Sequence, residues 1–490
     1  MAEPLPRLSK SRFVAGVQCP KLLWWKVHEP DAVELQPDKV LQDRFDQGHS
    51  VGELATTLFP GGVLIDLPHD AVEQRIEETR EAIAGEAPAV FEASFLEHNT
   101  FVAVDILERQ PGGFHVIEVK SSSSQKPEHI PDVAVQLHVL GRAGIDVTRA
   151  SVMHLNRDFR HPDLGERFCT TDVTTEAKEY EQGVAAELDD QMEALHGSLP
   201  DVSVGLHCHE PRACPFLDRC WPQDRNHIIK LYNVGPTKAA KYMADGVHRI
   251  SEIPASQKLP DAARRQVKSL REDRMIVEPG LGEALGEFSG RLGFLDFETI
   301  TRAIPVWPGL GPWGQAAAQF SYHEAQPDGS YSHLGWLAEG PQDARPELAR
   351  VMVEATQSAE RIVTYSGFEK TRIRALQKAV PELEAELIDL EAKLIDLLPV
   401  LRNFVYHPDF EGSFSIKYVL QPLVPELSYN DLVIVDGLVA SVEIARLLFV
   451  SGKIPPEERG RIRQDLLDYC ERDTWAMVKL LESLRVLASA

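Results

Sequence analysis

The stretch FVAVDILERQPGGFHVIEVKSSS, residues 101–123, contains two β-rich runs separated by one proline and two glycines. Such an arrangement predicts a β-hairpin. Asp105 lies in the first run, and Glu118 and Lys120 lie two residues apart in the second. A strand places residues i and i+2 on one face, so the last two side chains point the same way. We therefore expect two carboxylates and one ammonium group to converge at one point of a sheet.

The charge arrangement of this hairpin suits the hydrolysis of a phosphodiester bond. Two carboxylates can hold Mg²⁺ or Mn²⁺, which prefer oxygen ligands. Such a metal polarises the phosphate and lowers the pKa of a bound water, while Lys120 can stabilise charge that develops on the phosphate. Because the motif is short, the alternative interpretation is a surface hairpin whose alternating charged residues face solvent.

Two further polar residues flank the hairpin on segments with helical patterns: His49 precedes it and Gln136 follows it. This ordered set of His, Asp, Glu-x-Lys and Gln resembles the PD-(D/E)XK nucleases, in particular the RecB family. The resemblance implies that Asp105 and Glu118 are metal ligands and that Lys120 is the catalytic lysine. It also implies that His49 is an additional metal ligand and that Gln136 supports the site. A purely structural role is the alternative for both flanking residues.

Three cysteines follow the predicted nuclease core in the segment HCHEPRACPFLDRCW, namely Cys208, Cys214 and Cys220. The N-terminal sequence lacks the apolar core of a signal peptide, which indicates the cytoplasm. In that reducing compartment we do not expect the six cysteines to form disulfides, and clustered ones indicate a metal. A tetrahedral site or a [4Fe–4S] cluster needs four ligands, and Cys19 is the candidate for the fourth.

One cysteine before the nuclease core and three after it resembles the iron–sulfur nucleases of the RecB family, which include the CRISPR-associated exonuclease and the AddB subunit of helicase–nucleases. As in those proteins, the first cysteine precedes a proline and a basic residue. The resemblance implies a [4Fe–4S] cluster with four cysteine ligands: Cys19, Cys208, Cys214 and Cys220. The first interval of the trio is longer than usual for that family. Zinc therefore stays an alternative, with His207 or His209 as ligands, and unliganded core cysteines are another.

A second set of carboxylates lies in the C-terminal part of the chain. The apolar strand pattern RLGFLDFET places Asp296 and Glu298 on one face, and the helix pattern DYCERDTWAM places Tyr469 and Asp473 on one face. Glu369 lies at the end of a further β-rich run. Four acids from two strands and a helix can hold two metals roughly 4 Å apart, the arrangement suited to phosphoryl transfer.

This second pattern resembles the DEDD exonucleases of the RNase H-like fold, in their tyrosine variant. The resemblance implies that all four acids are metal ligands and that Tyr469 positions the attacking water. The middle motif of that family usually carries Asp, whereas this chain has Glu369 after an aromatic residue. Asp396 is a second candidate for that ligand. The alternative is an RNase H-like domain whose acids no longer assemble.

The overall class that we predict is α/β, in three parts. Residues 1–225 form a RecB-like restriction-endonuclease core whose ends are joined by the iron–sulfur cluster, and residues 286–490 form an RNase H-like domain. Residues 226–285 form a short helical linker, for which a helix-hairpin-helix-like element and a plain helical pair are both open. This order of parts resembles a bacterial family of unknown function.

Composition bounds the classes of function. The 490 residues are 43% hydrophobic and 26% charged, as in globular proteins, and no apolar run is long enough to predict a membrane span. The formal net charge of −24 argues against a protein coated in nucleic acid, because phosphate neutralisation needs Lys and Arg. It is compatible with an enzyme whose basic residues line one channel.

Together these patterns predict a Mg²⁺- or Mn²⁺-dependent nuclease, expected to be an exonuclease, that acts on DNA single strands or ends in repair, recombination or defence. Single-stranded DNA is favoured over RNA as the partner. No GxxxxGK[ST] phosphate loop occurs, so a helicase motor would be a separate protein. The competing hypotheses are a nucleic-acid-binding module, or a structural subunit of a helicase–nuclease complex, with one or both sites inactive.

Overall fold

The chain folds as a mixed α/β structure in two units, and the computed structural model describes residues 7–489. Unit 1 extends to Trp221 and also contains Arg302–Val306 and Gly311–Trp313. Unit 2 consists of Pro222–Thr301, Trp307–Leu310 and the chain from Gly314 onward. The predicted linker, residues 226–285, lies within unit 2.

Unit 1 is built on one mixed sheet. Its strands are β1 (Leu8–Ser9), β2 (Val63–Leu64), β3 (Ala89–Glu97), β4 (Thr100–Gln110), β5 (Gly113–Lys120), β6 (Val147–Leu155) and β7 (Phe168–Asp172). The order is β2-β3-β4-β5-β6-β7, and β1 pairs with β4 outside this order. β4 and β5 are antiparallel, with Ile106 opposite Ile117 and Gln110 opposite Gly113, so the predicted hairpin is confirmed.

Helices cover both faces of this sheet. They are α1 (Lys10–Gln18), α2 (Pro20–His28), α3 (Lys39–Thr56), α4 (Val72–Ala84), α5 (His129–Arg142), α6 (Thr174–His196) and α7 (Leu217–Cys220). Val116 of β5 packs with Val133 of α5 in one buried cluster, while Ile117 packs with Ala55 of α3 in another. Successive β5 side chains thus alternate between the two faces, and Glu118 shares the α5 face with Val116.

Unit 2 is built on a second mixed sheet, of order β11-β10-β9-β12-β13, with a separate pair formed by β14 and β8. The strands are β8 (Ile276–Val277), β9 (Leu292–Thr301), β10 (Gln315–Ala325), β11 (Tyr331–Leu337), β12 (Arg361–Thr364), β13 (Leu394–Asp396) and β14 (Val405–Tyr406). The helices are α8 (Gly235–Ala244), α9 (Asp261–Glu272), α10 (Leu281–Ala284), α11 (Arg345–Ala355), α12 (Phe368–Ala379), α13 (Glu384–Ala392), α14 (Leu397–Phe404), α15 (Ile416–Leu423), α16 (Gly437–Phe449) and α17 (Pro456–Ser489).

The two faces of β9 differ in chemistry. Leu295 and Phe297 pack into an apolar cluster with residues of α11, α12 and α13. Asp296 and Glu298 alternate with them, so they point to the opposite face, where α16 and α17 lie against β9. The strand predicted from RLGFLDFET and the helix predicted from DYCERDTWAM are both confirmed.

Two local predictions in unit 2 are wrong. The apolar spacing that includes Leu383, Leu387, Leu390 and Leu394 predicts one helix, but α13 ends at Ala392 and Leu394 begins β13. The reason is tertiary, since Leu394 pairs with Ile362 of β12, and a short apolar run reads equally well as a buried strand. Glu369 does not end a strand either, because it lies in the first turn of α12.

The segment predicted as a linker has its own small core. Ile228, Leu231, Ala239, Ile250 and Val267 belong to one buried cluster that draws on α8 and α9. Across the described residues, no helix is both long enough and apolar enough to cross a membrane.

Candidate active sites and a cysteine cavity

The first candidate site lies where the β4–β5 hairpin opens. Backbone pairing between the two strands runs from Gln110 opposite Gly113 as far as Ile106 opposite Ile117 and then stops. Beyond that point the Asp105 carboxylate accepts a hydrogen bond from the Val119 backbone N–H at 2.7 Å. A hydrogen bond from the backbone to the Asp105 side chain thus takes the place of backbone pairing between β4 and β5 here. The two strands separate at this point and leave room beside Asp105.

Glu118 and Gln136 are in direct contact in this opening. Glu118 is buried, and its Oε2 accepts a hydrogen bond from Gln136 Nε2 at 2.8 Å. Lys120 Nζ donates to Glu118 Oε1 at 2.6 Å. The structure therefore brings together four of the predicted residues, Asp105, Glu118, Lys120 and Gln136, from two strands and α5.

Two residues that the sequence interpretation missed complete this group. Lys10, the first residue of α1, donates to Glu118 Oε2 at 2.9 Å and lies 3.8 Å from both Asp105 Oδ1 and Asp132 Oδ1. Asp132 of α5 also accepts a hydrogen bond from Lys120 Nζ at 2.5 Å. Asp132 lies one helical turn before Gln136, a spacing that could have identified it. No local signal marks Lys10.

Burial and paired charges set the protonation of this site. Burial and the Glu118 carboxylate raise the pKa of Asp105 to about 7, against the opposing effect of Lys10 and Lys120. Burial also favours protonated Glu118, but Lys10 and Lys120 outweigh it and hold the Glu118 pKa below its usual value. Three carboxyl groups share two ammonium groups here, so the pair of lysines already neutralises much of the negative charge.

His49 does not join this group in the way predicted. It lies on α3, as its helical pattern indicated, but its side chain is exposed. Among the described residues, His49, Asp105 and Glu118 do not form a set whose ligand atoms all lie within 4.8 Å of one another. His49 is therefore not part of a compact three-ligand group among the described residues, and its role as an additional ligand stays a prediction.

The four predicted cysteine ligands line one cavity in unit 1. Cys19 lies between α1 and α2, Cys208 ends a short 3₁₀ helix, and Cys220 is the last residue of α7. These three and Cys214 line one cavity, which is partly open to solvent. Burial raises the pKa of the Cys214 thiol to about 11 and also raises that of Cys220. Cys169 lies on β7 and Cys470 on α17, away from this cavity.

The spacing of these thiols distinguishes two kinds of metal site. Tetrahedral zinc with Zn–S bonds of about 2.3 Å brings all its sulfur ligands within about 4 Å of one another. In the range 7–489, no three of the cavity's cysteine sulfurs and histidine nitrogens approach within 4.8 Å of one another. His207 lines the cavity, whereas His209 packs against Trp221 with tilted rings whose centroids are 5.3 Å apart. The arrangement is wider than one zinc ion requires, and the donor set of four thiols fits a cluster.

The second candidate site lies between β9 and α17. One ligand atom from each of Asp296, Glu298 and Asp473 lies within 4.8 Å of the others. Burial raises the pKa of Asp296 and of Glu298 well above the ordinary value, and the Asp473 carboxylate adds to both effects. Three acids held this close in a buried place form a site in which a divalent cation can replace protons.

Two tyrosines surround Asp473. The Tyr429 hydroxyl donates to Asp473 Oδ1 at 2.5 Å, and Tyr469, one helical turn before Asp473, also hydrogen-bonds to that carboxylate. The predicted residue Tyr469 is therefore at the acidic site, while Tyr429 was missed. Lys417 of α15 lies 5.1 Å from the Tyr469 ring centroid and attracts the Asp473 charge. It is the cation of this site, and it too lacks a local signal in the sequence.

Glu369 and Asp396 have different surroundings. Glu369 is buried, hydrogen-bonds to Asp296, and has its Oε2 without a hydrogen-bond partner. Asp396 Oδ1 instead accepts from the backbone N–H groups of Ser366 at 3.0 Å and Leu398 at 2.9 Å, which caps α14. Of the two candidates for the middle acid of the DEDD pattern, Glu369 is thus the one that contacts Asp296.

The thiol of Cys470 is a further neighbour of this site. It donates a hydrogen bond to Asp296 Oδ2 at 3.8 Å, and burial raises its pKa well above the usual value. Cys470 is buried. Its position one residue after Tyr469 on α17 directs it to the Asp296 carboxylate.

The acidic site makes stability depend on pH. Burial raises the pKa of Glu369 to about 7 and that of Asp473 to about 6, whereas unfolded carboxyl groups titrate near about pH 4. The folded protein therefore holds protons that the unfolded chain has released, and this stabilisation, complete below about pH 4, is lost as pH rises through the folded values.

We expect the free energy of unfolding of the metal-free protein to fall between about pH 4.5 and pH 7.5, and Mn²⁺ to restore it. Asp473→Asn removes one titrating group, so its stability relative to wild type should increase with pH. Urea titrations in EDTA over this range measure the effect, with exposed Asp468→Asn on the same helix as control. A difference between Asp473→Asn and wild type that does not change with pH contradicts the expectation.

Comparison with known proteins gives limited matches. A family model described as a domain of unknown function (DUF2779) matches residues 293–415, a range that contains Asp296, Glu298 and Glu369 but not Asp473. The family B DNA polymerase from the hyperthermophilic archaeon Pyrobaculum calidifontis is similar at 14% sequence identity, with a TM-score of 0.26, over 41% of this chain and 27% of the polymerase chain. No curated protein matches the chain.

Proposed function

We propose that the protein is a metal-dependent nuclease that hydrolyses phosphodiester bonds of DNA, with single strands or ends preferred over RNA. The observation that carries this proposal is the group Asp296, Glu298 and Asp473, whose ligand atoms lie within 4.8 Å of one another. Such a group of hard oxygen donors suits Mg²⁺ or Mn²⁺. The DEDD-like order of these acids and Tyr469 along the chain supports the same reaction class.

The residues of the acidic site have separable roles in this reaction. Asp296, Glu298 and Asp473 would hold the cation, and Glu369 would join them through Asp296. When bound, a divalent cation polarises the phosphate and lowers the pKa of a coordinated water. Tyr429 and Tyr469 hold the Asp473 carboxylate by hydrogen bonds and fix its orientation.

Lys417 supplies positive charge beside the acids in this proposal. Its ammonium group lies over the rings of Tyr429 and Tyr469, at 5.8 Å and 5.1 Å from the centroids. Negative charge that develops on a phosphate in the site would be stabilised by a cation at this place. Lys417 is therefore a candidate for binding the substrate phosphate.

The centre in unit 1 is the second part of the proposal. By its resemblance to the RecB family, Asp105 and Glu118 would hold a second catalytic metal and Lys120 would stabilise charge on the phosphate. Gln136 donates to Glu118 Oε2 at 2.8 Å and so helps to hold this carboxylate in place. His49, which the same resemblance makes an additional metal ligand, lies on α3 with an exposed side chain.

One observation favours a second candidate function for unit 1. Lys10 Nζ lies 2.9 Å from Glu118 and 3.8 Å from Asp105, between the two carboxylates that would hold the metal. An ammonium group there neutralises the charge that would attract a cation. Unit 1 would then bind nucleic acid or serve a structural role without cutting, and only the acidic site of unit 2 would be catalytic.

The four cysteines of the cavity would hold a [4Fe–4S] cluster. The support is their common cavity and their separation, which is wider than one zinc ion requires. The cluster would supply a covalent link between the two ends of unit 1 and take no part in hydrolysis. A motor that opens duplex DNA would be a separate protein partner.

A comparison of Lys120→Ala with wild type tests which centre cuts. On labelled single-stranded DNA and RNA with Mn²⁺, we expect wild type to cleave the DNA. If the unit 1 centre is catalytic, Lys120→Ala should lower the rate of the cleavage that this centre performs by about 100-fold or more. That is the typical loss when a donor that stabilises transition-state charge is removed. Lys126→Ala, an exposed lysine of the same unit, is the matched control.

The outcomes separate the candidates. Unchanged cleavage by Lys120→Ala assigns the unit 1 centre to binding or structure. A wild-type protein that cleaves neither DNA nor RNA with either metal refutes the nuclease proposal and favours the binding module. Equal loss in Lys120→Ala and Lys126→Ala indicates a general effect of surface charge on substrate binding.

A further inference from the structure

Two histidines and a glutamate outside both candidate active sites also lie close together in unit 2. His323 of β10 and His333 of β11 are directly opposite each other in an antiparallel pair, and Glu471 comes from α17. One ligand atom from each of the three lies within 4.8 Å of the others. Directly opposed strand residues have neighbouring Cβ atoms, which explains the 4.5 Å between the two imidazole centroids.

Hydrogen bonds from two hydroxyl groups hold these imidazoles in place. Thr474 Oγ1 bonds to His323 Nδ1 at 2.8 Å, and Ser321 Oγ bonds to His333 Nε2 at 3.0 Å. The two hydroxyl groups also bond to each other at 2.8 Å. One nitrogen of each ring is thereby fixed, which leaves His323 Nε2 and His333 Nδ1 for another partner. Histidines that bind metals commonly have their second nitrogen held in this way.

The carboxylate lies on the side of the remaining nitrogen. Glu471 Oε2 is 3.6 Å from His333 Nδ1, and Glu471 is exposed, so water can complete the coordination. One ligand atom from each of the three groups thus lies near a common point, and the exposed Glu471 borders solvent.

We propose that His323, His333 and Glu471 form a Zn²⁺ site. Two imidazoles and one carboxylate with an open position are a ligand set that zinc adopts. Mg²⁺ prefers oxygen ligands and would not compete well for two nitrogens. The zinc ion links the β10–β11 hairpin to α17, the helix that carries Asp473. This site is independent of the proposed nuclease activity.

Zinc binding by untagged, full-length protein tests the proposal. Equilibrium dialysis should show that wild type binds one more Zn²⁺ per chain than His333→Ala, in the presence of millimolar Mg²⁺. Glu471→Gln, a milder change at an exposed position, should weaken binding by about tenfold or more, as one ligand is lost. His69→Ala, an exposed histidine of unit 1, should bind as wild type does.

A second readout and a second variant keep the outcomes distinct. Zn²⁺ should raise the thermal unfolding temperature of wild type more than that of His333→Ala. The reason is that the complete site, which joins the β10–β11 hairpin to α17, exists only in the folded protein. Equal zinc stoichiometry in wild type, His333→Ala and Glu471→Gln overturns the proposal. Loss of that zinc ion in Asp296→Asn but not in His333→Ala also overturns it, since the ion then belongs to the acidic site.

Discussion

Asp473→Asn is expected to lower metal-dependent DNA cleavage by more than about 100-fold. Mutation of a residue that only holds a metal ligand in place already lowers activity by up to about 100-fold, and Asp473 would be a ligand itself. The reason is geometric. Asp473 is one of three carboxylates whose ligand atoms lie within 4.8 Å of one another, and it is the one that Tyr429 and Tyr469 orient. Asn keeps the size and the hydrogen-bond acceptor but removes the charge that holds a divalent cation.

The measurement is initial cleavage rate with Mn²⁺, together with Mn²⁺ affinity by calorimetry. Asp468→Asn changes an exposed acid on the same helix and should keep wild-type rate and affinity. Circular dichroism separates a lost metal ligand from a lost fold. Wild-type cleavage by a folded Asp473→Asn protein would place the active centre elsewhere, with the Asp105 and Glu118 site as the remaining candidate.

Cys19→Ala is expected to unfold unit 1 and to remove the brown colour of anaerobically purified protein. Cys19 lies between α1 and α2, whereas the other three cysteines of the cavity follow α6. A cluster that joins them closes a loop of roughly 190 residues, and the chain-entropy relation for cross-links gives about 5 kcal/mol for such a loop. That is comparable to the whole stability of many domains.

The visible absorption spectrum and denaturant unfolding of the purified variant measure this effect. Cys169→Ala is the matched control, because Cys169 lies on β7 outside the cavity. A folded and coloured Cys19→Ala protein would show that Cys19 is not a ligand. A colourless wild type with one zinc ion per chain would contradict the iron–sulfur proposal while leaving a metal at the cysteines.

Local patterns were sufficient for the elements that carry the candidate sites. The β4–β5 hairpin and the position of Glu118 and Lys120 on one face follow from a two-residue repeat around a turn. The same holds for Asp296 and Glu298 on β9, and for Tyr469 and Asp473 at helical spacing on α17. In each case the side-chain directions depend on backbone periodicity alone, which neighbouring residues determine.

Where the sequence interpretation failed, contacts between distant segments were decisive. Leu394 fits a helical repeat but forms a strand because β12 lies beside it. Asp396 fits the middle acid of the DEDD pattern, yet its carboxylate caps α14 while Glu369 contacts Asp296.

By itself the sequence determined which acids share a strand or helix face, because that geometry repeats every two or about 3.6 residues. It also marked Cys208, Cys214 and Cys220 as a group through their spacing, while Cys19 joined them as the candidate fourth ligand that the family resemblance implies. Only the tertiary structure decided what completes each site. Lys10 reaches Glu118 because α1 packs against β4 and α5, and Lys417 lies near Asp473 because α15 packs against α17. No local period in the sequence relates either lysine to its acid. The charge at both centres is therefore a property of packing, since the lysines that balance the acids are remote in sequence.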